Sequence, residues 1–263
     1  EEDRTGPFDS ADPTNPQTYN PMFIHHDLRP NAEYRMLWAD RVQRHLFAGG
    51  VFSPSSLQER MRARQATLDR AIIAESARWG DAKTGREPPF TRLHWLEAVR
   101  FLIEDYVPVR GDFVLAQLRE DGLYPSYDAP SLSHLGGPIT TGEEITITGH
   151  GGTVYYTLDG SDPRLVGGAL SPTALTYTPG AILLNTPGPQ TLKVRARSEG
   201  EWSALVQADY VVQAAADLTV ALAPQGSFST NATGSYVVTV TNRGTVASSG
   251  LVTVGVTRPA GLT

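Results

Sequence analysis

His25-His26-Asp27 is the first place in the chain where side chains able to ligate a metal or move a proton stand together. Adjacent histidines on a helix point to different faces, whereas a helical metal pair needs a spacing of three or four. No second ligand stands at that spacing from either one, so a polar helix surface is expected. Glu75 followed by Arg78-Trp79-Gly80-Asp81 could organise an anion site. The simpler reading is a helix end, with Gly80 past the last turn, Arg78 on the final carbonyls and Trp79 in the core. Arg110-Gly111-Asp112 spells the tripeptide read by integrins, but it follows Pro108 and precedes a helical pattern, so Asp112 is expected to cap that helix. Asp159-Gly160-Ser161-Asp162-Pro163 sets two carboxylates in a turn. That falls short of a calcium loop, and an Asx turn explains it. Lys193, Arg195 and Arg197 alternate on a strand pattern and are expected to point outward as a solvated row, one that an acidic polymer could meet. Asn231-Ala232-Thr233 has glycosylation spacing, but two lysines against 20 arginines hint at a GC-rich bacterial source, which makes it irrelevant. No Ser/His/Asp set, phosphate loop or acid–base carboxylate pair is visible. No catalytic, cofactor-binding or metal residue is therefore assigned to this chain.

The composition narrows the class. The chain has 263 residues, 22 basic against 28 acidic side chains and a net charge of −6, which argues against a nucleic-acid partner. It has no cysteine, which removes thiolate zinc sites and cysteine nucleophiles together. No apolar run approaches the ~20 residues of a membrane span. Fifteen of the 20 arginines precede residue 128, and 18 of the 25 glycines follow it. An Arg-rich, Gly-poor stretch followed by a Thr-, Gly- and Val-rich one reads as helices followed by β modules.

The elements follow from periodicity. Residues 1–20, with Pro7, Pro13 and Pro16, read as a loop. Asn31 caps a helix striped by Tyr34, Leu37, Trp38, Val42 and Leu46 and stopped by Gly49-Gly50. Ser53-Pro54 opens a second helix that runs to Gly80, Thr91 opens a third, and Asp112 to Glu120 forms a fourth, closed by Gly122. From Asp128 the period changes to two. Ile145 and Ile147, Val154 to Leu158, Leu192 to Ala196, and Val206 to Val212 are expected strands. The fold class is thus a multidomain chain, an all-α helical segment followed by two β-sandwich modules. Its parts are residues 1–127, 128–213 and 217–263. The last has strands at Leu218–Leu222, Tyr236–Val240 and Val252–Val256 and is read as truncated, with an apolar edge left unpaired.

Several of these stretches resemble known families. Ala39-Asp40-Arg41-Val42, Phe47-x-Gly49-Gly50, Glu75-Ser76-Ala77-Arg78-Trp79-Gly80-Asp81 and the run from Asp105-Tyr106-Val107-Pro108 to Leu118-Arg119 resemble the C-terminal helical part of CotH-type atypical protein kinases, over about residues 1–127. Val154-Tyr155-Tyr156-Thr157-Leu158-Asp159-Gly160-Ser161-Asp162-Pro163, with Lys193 to Arg197 and Trp202-Ser203, resembles the chitobiase/β-hexosaminidase C-terminal domain, also called Fn3-associated. That module is accessory, so no glycosidase activity comes with it. Residues 216–263 resemble the start of a DUF11-type surface repeat. The resemblance implies an exported or cell-surface bacterial protein. Its kinase would use ATP and Mg²⁺ to phosphorylate a protein substrate, with catalytic residues, including a Trp-Asp-x-Glu-like element, before Glu1. No cofactor is then expected within residues 1–263. The alternative is a cell-surface adhesion protein with a non-catalytic kinase-like region, whose β modules bind protein or a cell-wall or extracellular glycan.

Overall fold

The computed structural model describes residues 22–81, 89–227, 233–244 and 246–257. The N-terminal loop expectation, Asn231-Ala232 and the final residues lie outside the described residues. Five α-helices come first: α1 (Met22–Leu28), α2 (Ala32–Leu46), α3 (Pro54–Trp79), α4 (Arg92–Phe101) and α5 (Val107–Glu120). Asn31 caps α2 as its residue type predicts, its side chain accepting from the Glu33 and Tyr34 amides at 2.9 and 3.2 Å. Ser53 precedes Pro54 at the start of α3, but its hydroxyl bonds Ser56 Oγ at 3.0 Å instead of a backbone amide. At α4, His94 takes the place of the usual Glu in a capping box with Thr91.

The fourth expected helix does not begin at Asp112. Helix α4 continues through a π-helical turn, Leu102–Tyr106, directly into α5. The Val107 amide reaches back five residues to the Leu102 carbonyl. Pro108 follows at once, and a proline inside a regular helix removes one hydrogen bond and collides with the carbonyl four residues back. The wider turn absorbs that conflict, so the helix passes Pro108 without breaking. Arg110-Gly111-Asp112 consequently lies inside α5, and Asp112 caps nothing.

The β elements are β1 (Ser131–Leu132), β2 (Gly137–Thr140), β3 (Glu144–Ile145), β4 (Ile147–Thr148), β5 (Thr153–Thr157), β6 (Leu175–Thr176), β7 (Ile182–Leu183), β8 (Gly188–Ser198), β9 (Glu201–Trp202) and β10 (Val206–Gln213). The main sheet runs β2-β10-β8-β5-β6, with β9 on β8, and only β2 pairs in parallel. Small β1-β4 and β3-β7 pairs supply further strands. The predicted strand through Ile145 and Ile147 is divided: Ile145 pairs with Ile182 and Ile147 with Leu132. Between them, Thr146 exchanges hydrogen bonds with Ser133 through its amide at 2.9 Å and its carbonyl at 3.0 Å. One strand thereby serves two sheets. In β10, burial alternates without exception from Val206 to Gln213, as the period of two requires.

Helices and sheets share one core. Ala39 and Val42 of α2, Leu115 and Leu118 of α5, and Leu123 and Tyr124 just beyond it join Ile139, Ile145, Val154, Leu192, Val194 and Tyr210. Each such apolar side chain contributes on the order of 1.5–3 kcal/mol when fully buried. Tyr124 donates to Gln43 Oε1 at 2.5 Å inside this core, which pairs two buried polar groups, and burial pushes the phenol up. Helices α3 and α4, by contrast, bury no residue.

Gly152 leads into β5 with φ +73°, and a Cβ there would collide with the Arg197 carbonyl oxygen on β8. Both the backbone conformation and the close approach require glycine. Gly152→Ala is expected to lower the urea midpoint by an amount worth about 1–3 kcal/mol, with the slope unchanged.

After β10 come β11 (Leu218–Gln225) and β12 (Ser235–Asn242), an antiparallel pair in a sheet of its own. The expected third strand is not formed: residues 251–257 join no ladder. Alternation assigns a side chain to a face but supplies no neighbour to bond with.

Candidate functional site

The most highly organised polar group in the molecule is Arg195, in the middle of β8. Strand alternation places it on the same face as Lys193 and Arg197, but that face is covered at its centre. Arg195 is 1% exposed, and the expectation of a solvated row fails there. Helix α2 crosses it from one side, and the segment after β5 closes on it from the other. All five guanidinium N–H groups are used. Nε and one Nη donate to the two Asp162 oxygens at 2.7 Å. The Nη pair donates to the two Asp40 oxygens at 2.7 and 2.8 Å, and the last donor goes to the Ser203 carbonyl at 2.8 Å. Two carboxylates around one guanidinium leave a surplus negative charge. The Leu205 and Arg164 amides satisfy further carboxylate lone pairs, donating to Asp40 at 2.7 Å and Asp162 at 2.8 Å, without cancelling that charge. Burial alone would raise the Asp162 carboxyl, but the Arg195 hydrogen bonds and charge outweigh it and hold it below the usual range.

The Asp159-Gly160-Ser161-Asp162-Pro163 turn has a structural purpose in this arrangement. Asp159 Oδ1 accepts from the Ser161 amide at 2.9 Å, the expected Asx turn, and Gly160 adopts φ +77°. Thr157 Oγ1 donates to the Ser161 carbonyl at 2.6 Å. These bonds aim Asp162 at Arg195. The first carboxylate closes the turn and the second pairs with a buried cation.

A second clasp lies beside the first. Arg164 grips Glu33, in the first turn of α2, with bonds of 2.6 and 2.7 Å, and the Gly167 amide donates to the same carboxylate at 2.9 Å. Trp202 Nε1 fixes the loop by donating to the Gly168 carbonyl at 2.8 Å. The Arg164 bonds and the Gly167 amide pull the Glu33 carboxyl down to about 2. A carboxylate depressed in the folded state contributes stability above its unfolded pKa, and that contribution is lost as pH falls through the folded value. Glu33 therefore stabilises the fold above about pH 4.5 and ceases to do so near pH 2. Glu33→Gln is expected to flatten the fall in melting temperature across that window while also lowering it at pH 7. Thermal melts at stepped pH measure both.

Between the clasps, the turn after α5 and β9 lies a cleft of about 470 Å³, lined by Arg35, Arg119, Tyr124, Arg164, Glu201 and Trp202. Arg119 pairs with Asp128 at 2.5 Å, Arg35 donates to the Arg29 and Pro30 carbonyls at 2.8 and 2.9 Å, and Glu201 accepts from the Ser126 amide at 3.2 Å. The Ser126 hydroxyl also donates to Glu201 Oε2, so this one carboxylate holds both the amide and the hydroxyl of Ser126.

The remaining sequence candidates settle as follows. His25 Nδ1 lies 2.7 Å from the Tyr34 hydroxyl, and its ring lies 4.3 Å from that of Trp38. Burial lowers its pKa, with Arg29 and His26 adding to the shift, and the ring packs against those of Tyr34 and Trp38. Trp79 is 40% exposed, so it is not a core residue; Arg78 stacks on it at 4.9 Å. Gly80 ends α3 in a right-handed conformation, and a Cβ there would collide with the Phe90 carbonyl oxygen. Its glycine is explained by close approach and not by a left-handed cap. Arg197 lies over Trp202 at 5.2 Å. Among the described residues no group of three His, Asp or Glu side chains could hold a metal ion, and no helix is long and apolar enough to cross a membrane.

Fold and clasp together define a helical segment carrying a β-sandwich module, joined through a buried arginine. Residues 144–210 match a family model described as Fn3 associated. The match runs from β3 into β10 and contains Asp162, Arg164 and Arg195, whereas Asp40 and Glu33 lie outside it. No curated protein is significantly similar to the chain.

Proposed function

We propose that this chain is a non-catalytic part of an exported bacterial CotH-like atypical protein kinase, in which the helices complete the kinase fold and the Fn3-associated module is rigidly carried by it. The observation that carries the reading is the bare helical surface. Helix α3 spans 26 residues and buries none of them, and Ile73, Leu93, Phe101, Val109 and Phe113 stand 45–67% exposed on α3, α4 and α5. Scattered exposed apolar residues are ordinary, but a long helix pair with no buried residue is what remains when helices normally pack on further structure. The phosphoryl-transfer chemistry, which rests on positioning and on neutralising charge with Mg²⁺, belongs to residues other than those described.

Two reactions test this. Radiolabelled ATP with Mg²⁺ and a generic protein acceptor should give no transfer with repurified residues 1–263. It should give transfer with a polypeptide extended by the residues encoded before Glu1. Turnover by residues 1–263, or a silent extended protein, overturns the reading. The silent case would leave the helices as scaffold in a surface adhesion protein, to be pursued by titrating the whole chain with chitin and peptidoglycan.

A further inference from the structure

We propose that the cleft between α2, the turn after α5 and β9 binds a zwitterion of dipeptide size, whose carboxylate meets Arg35 and whose ammonium meets Glu201. The cleft measures about 470 Å³ and lies where the helices meet the sandwich, the size and the place usual for a small-ligand site. Three arginines line it, and two of them have a carboxylate: Arg164 has Glu33 and Arg119 has Asp128. Arg35 has none. One of its Nη atoms gives both protons to the Arg29 and Pro30 carbonyls, at 2.8 and 2.9 Å. The other edge of the guanidinium, Nε and the second Nη, has no partner among the described residues.

That edge is the one an arginine uses for a bidentate grip on a carboxylate. The molecule makes this grip twice on its own side chains: Arg195 takes Asp162 by Nε and Nη at 2.7 Å, and Arg92 takes Asp69 at 2.7 and 2.8 Å. The carbonyl bonds hold Arg35 by its opposite edge, so the fork is set in place before a ligand arrives. Arg164 adds a donor. Its side chain is nine-tenths buried, yet its Nε finds no hydrogen-bond partner. A buried donor left over is one that a ligand or an ordered water ordinarily satisfies. Glu201 is the reverse case of Arg35. Its oxygens accept from the Ser126 amide and hydroxyl, both neutral, and it has no ion-pair partner among the described residues. One cation and one anion thus line the same cleft, each without a counter-charge, and they do not pair with each other. A ligand carrying both charges satisfies both, whereas a simple anion would bring a second negative charge into the cleft with Glu201.

Isothermal titration of the whole chain with glycyl-leucine is the test, and the expected result is saturation at one site per chain. N-acetyl-glycyl-leucine lacks the ammonium and glycyl-leucinamide lacks the carboxylate, and each should bind at least tenfold more weakly. Arg35→Gln should weaken the free dipeptide at least tenfold and leave the amide form unchanged. Glu201→Gln should weaken the free dipeptide by as much and leave the acetyl form unchanged. An unaltered thermal transition establishes that each variant is folded, and the capped ligands, titrated into the unsubstituted chain, test the proposal without any variant. No saturation at millimolar glycyl-leucine, or capped forms that bind as tightly as the free dipeptide, would overturn it. So would a substitution that weakens all three forms equally, since the residue would then shape the cleft and not meet a charge.

Discussion

Arg195→Met should destabilise the protein by about 3–5 kcal/mol, the cost of removing one partner from a buried ionic group. The methionine fills much of the volume, so a cavity is not the main effect. The loss comes from Asp40 and Asp162, which remain under α2 and the turn after β5 without the guanidinium that neutralised them. Their remaining donors, the Leu205 and Arg164 amides, satisfy hydrogen bonds but not charge. Arg195→Lys should recover little, because one ammonium cannot reproduce two bidentate contacts. Asp40→Asn combined with Asp162→Asn in the Arg195→Met background should restore part of the loss by discharging the stranded carboxylates. That rescue separates an electrostatic cause from simple damage to packing. Chemical denaturation of the three variants measures it.

Leu123→Ala is the second large effect expected, at about 2–5 kcal/mol. Leu123 is 1% exposed and sits in the turn that leaves α5, where its amide bonds the Leu118 carbonyl at 2.8 Å. Truncating it opens a cavity where helices and strands meet, and the neighbours on both sides are held: Tyr124 by Gln43 and Arg119 by Asp128. A site fixed on both sides collapses poorly, which places the cost toward the upper part of the range. Leu123→Met, which keeps the volume, should cost less than about 1.5 kcal/mol.

Much of the fold was legible because it depends on local pattern. Asn31 announced α2, and the alternation of Val206, Ala208, Tyr210 and Val212 announced β10 with the correct inward face. What was not legible depends on distance. A period of two puts Arg195 on a face but does not reveal what lies over it; the answer, Asp40, stands 155 residues away. Asp162 could have been paired with it on one signal, a turn carboxylate without an evident local task. The π turn escaped because Pro108 normally marks a break, and only the wide turn before it lets the helix continue. Thr146, where one strand changes sheets, carries no glycine or proline to signal the change. Trp79 is expected in the core because size and aromaticity predict burial, but α3, though it packs along α4 and α5, has no fully buried residue.

The central claim is that α2, α5 and the sandwich form one cooperative unit fastened at Arg195. Native-state hydrogen exchange, followed on amides of α2 and β8 as denaturant is raised, tests it most directly. The account predicts that both sets merge into a single opening of the same free energy, and that Arg195→Met lowers the two together. If α2 opens well below β8 and Arg195→Met moves only one of them, the helices and the module are separate units and the account is wrong.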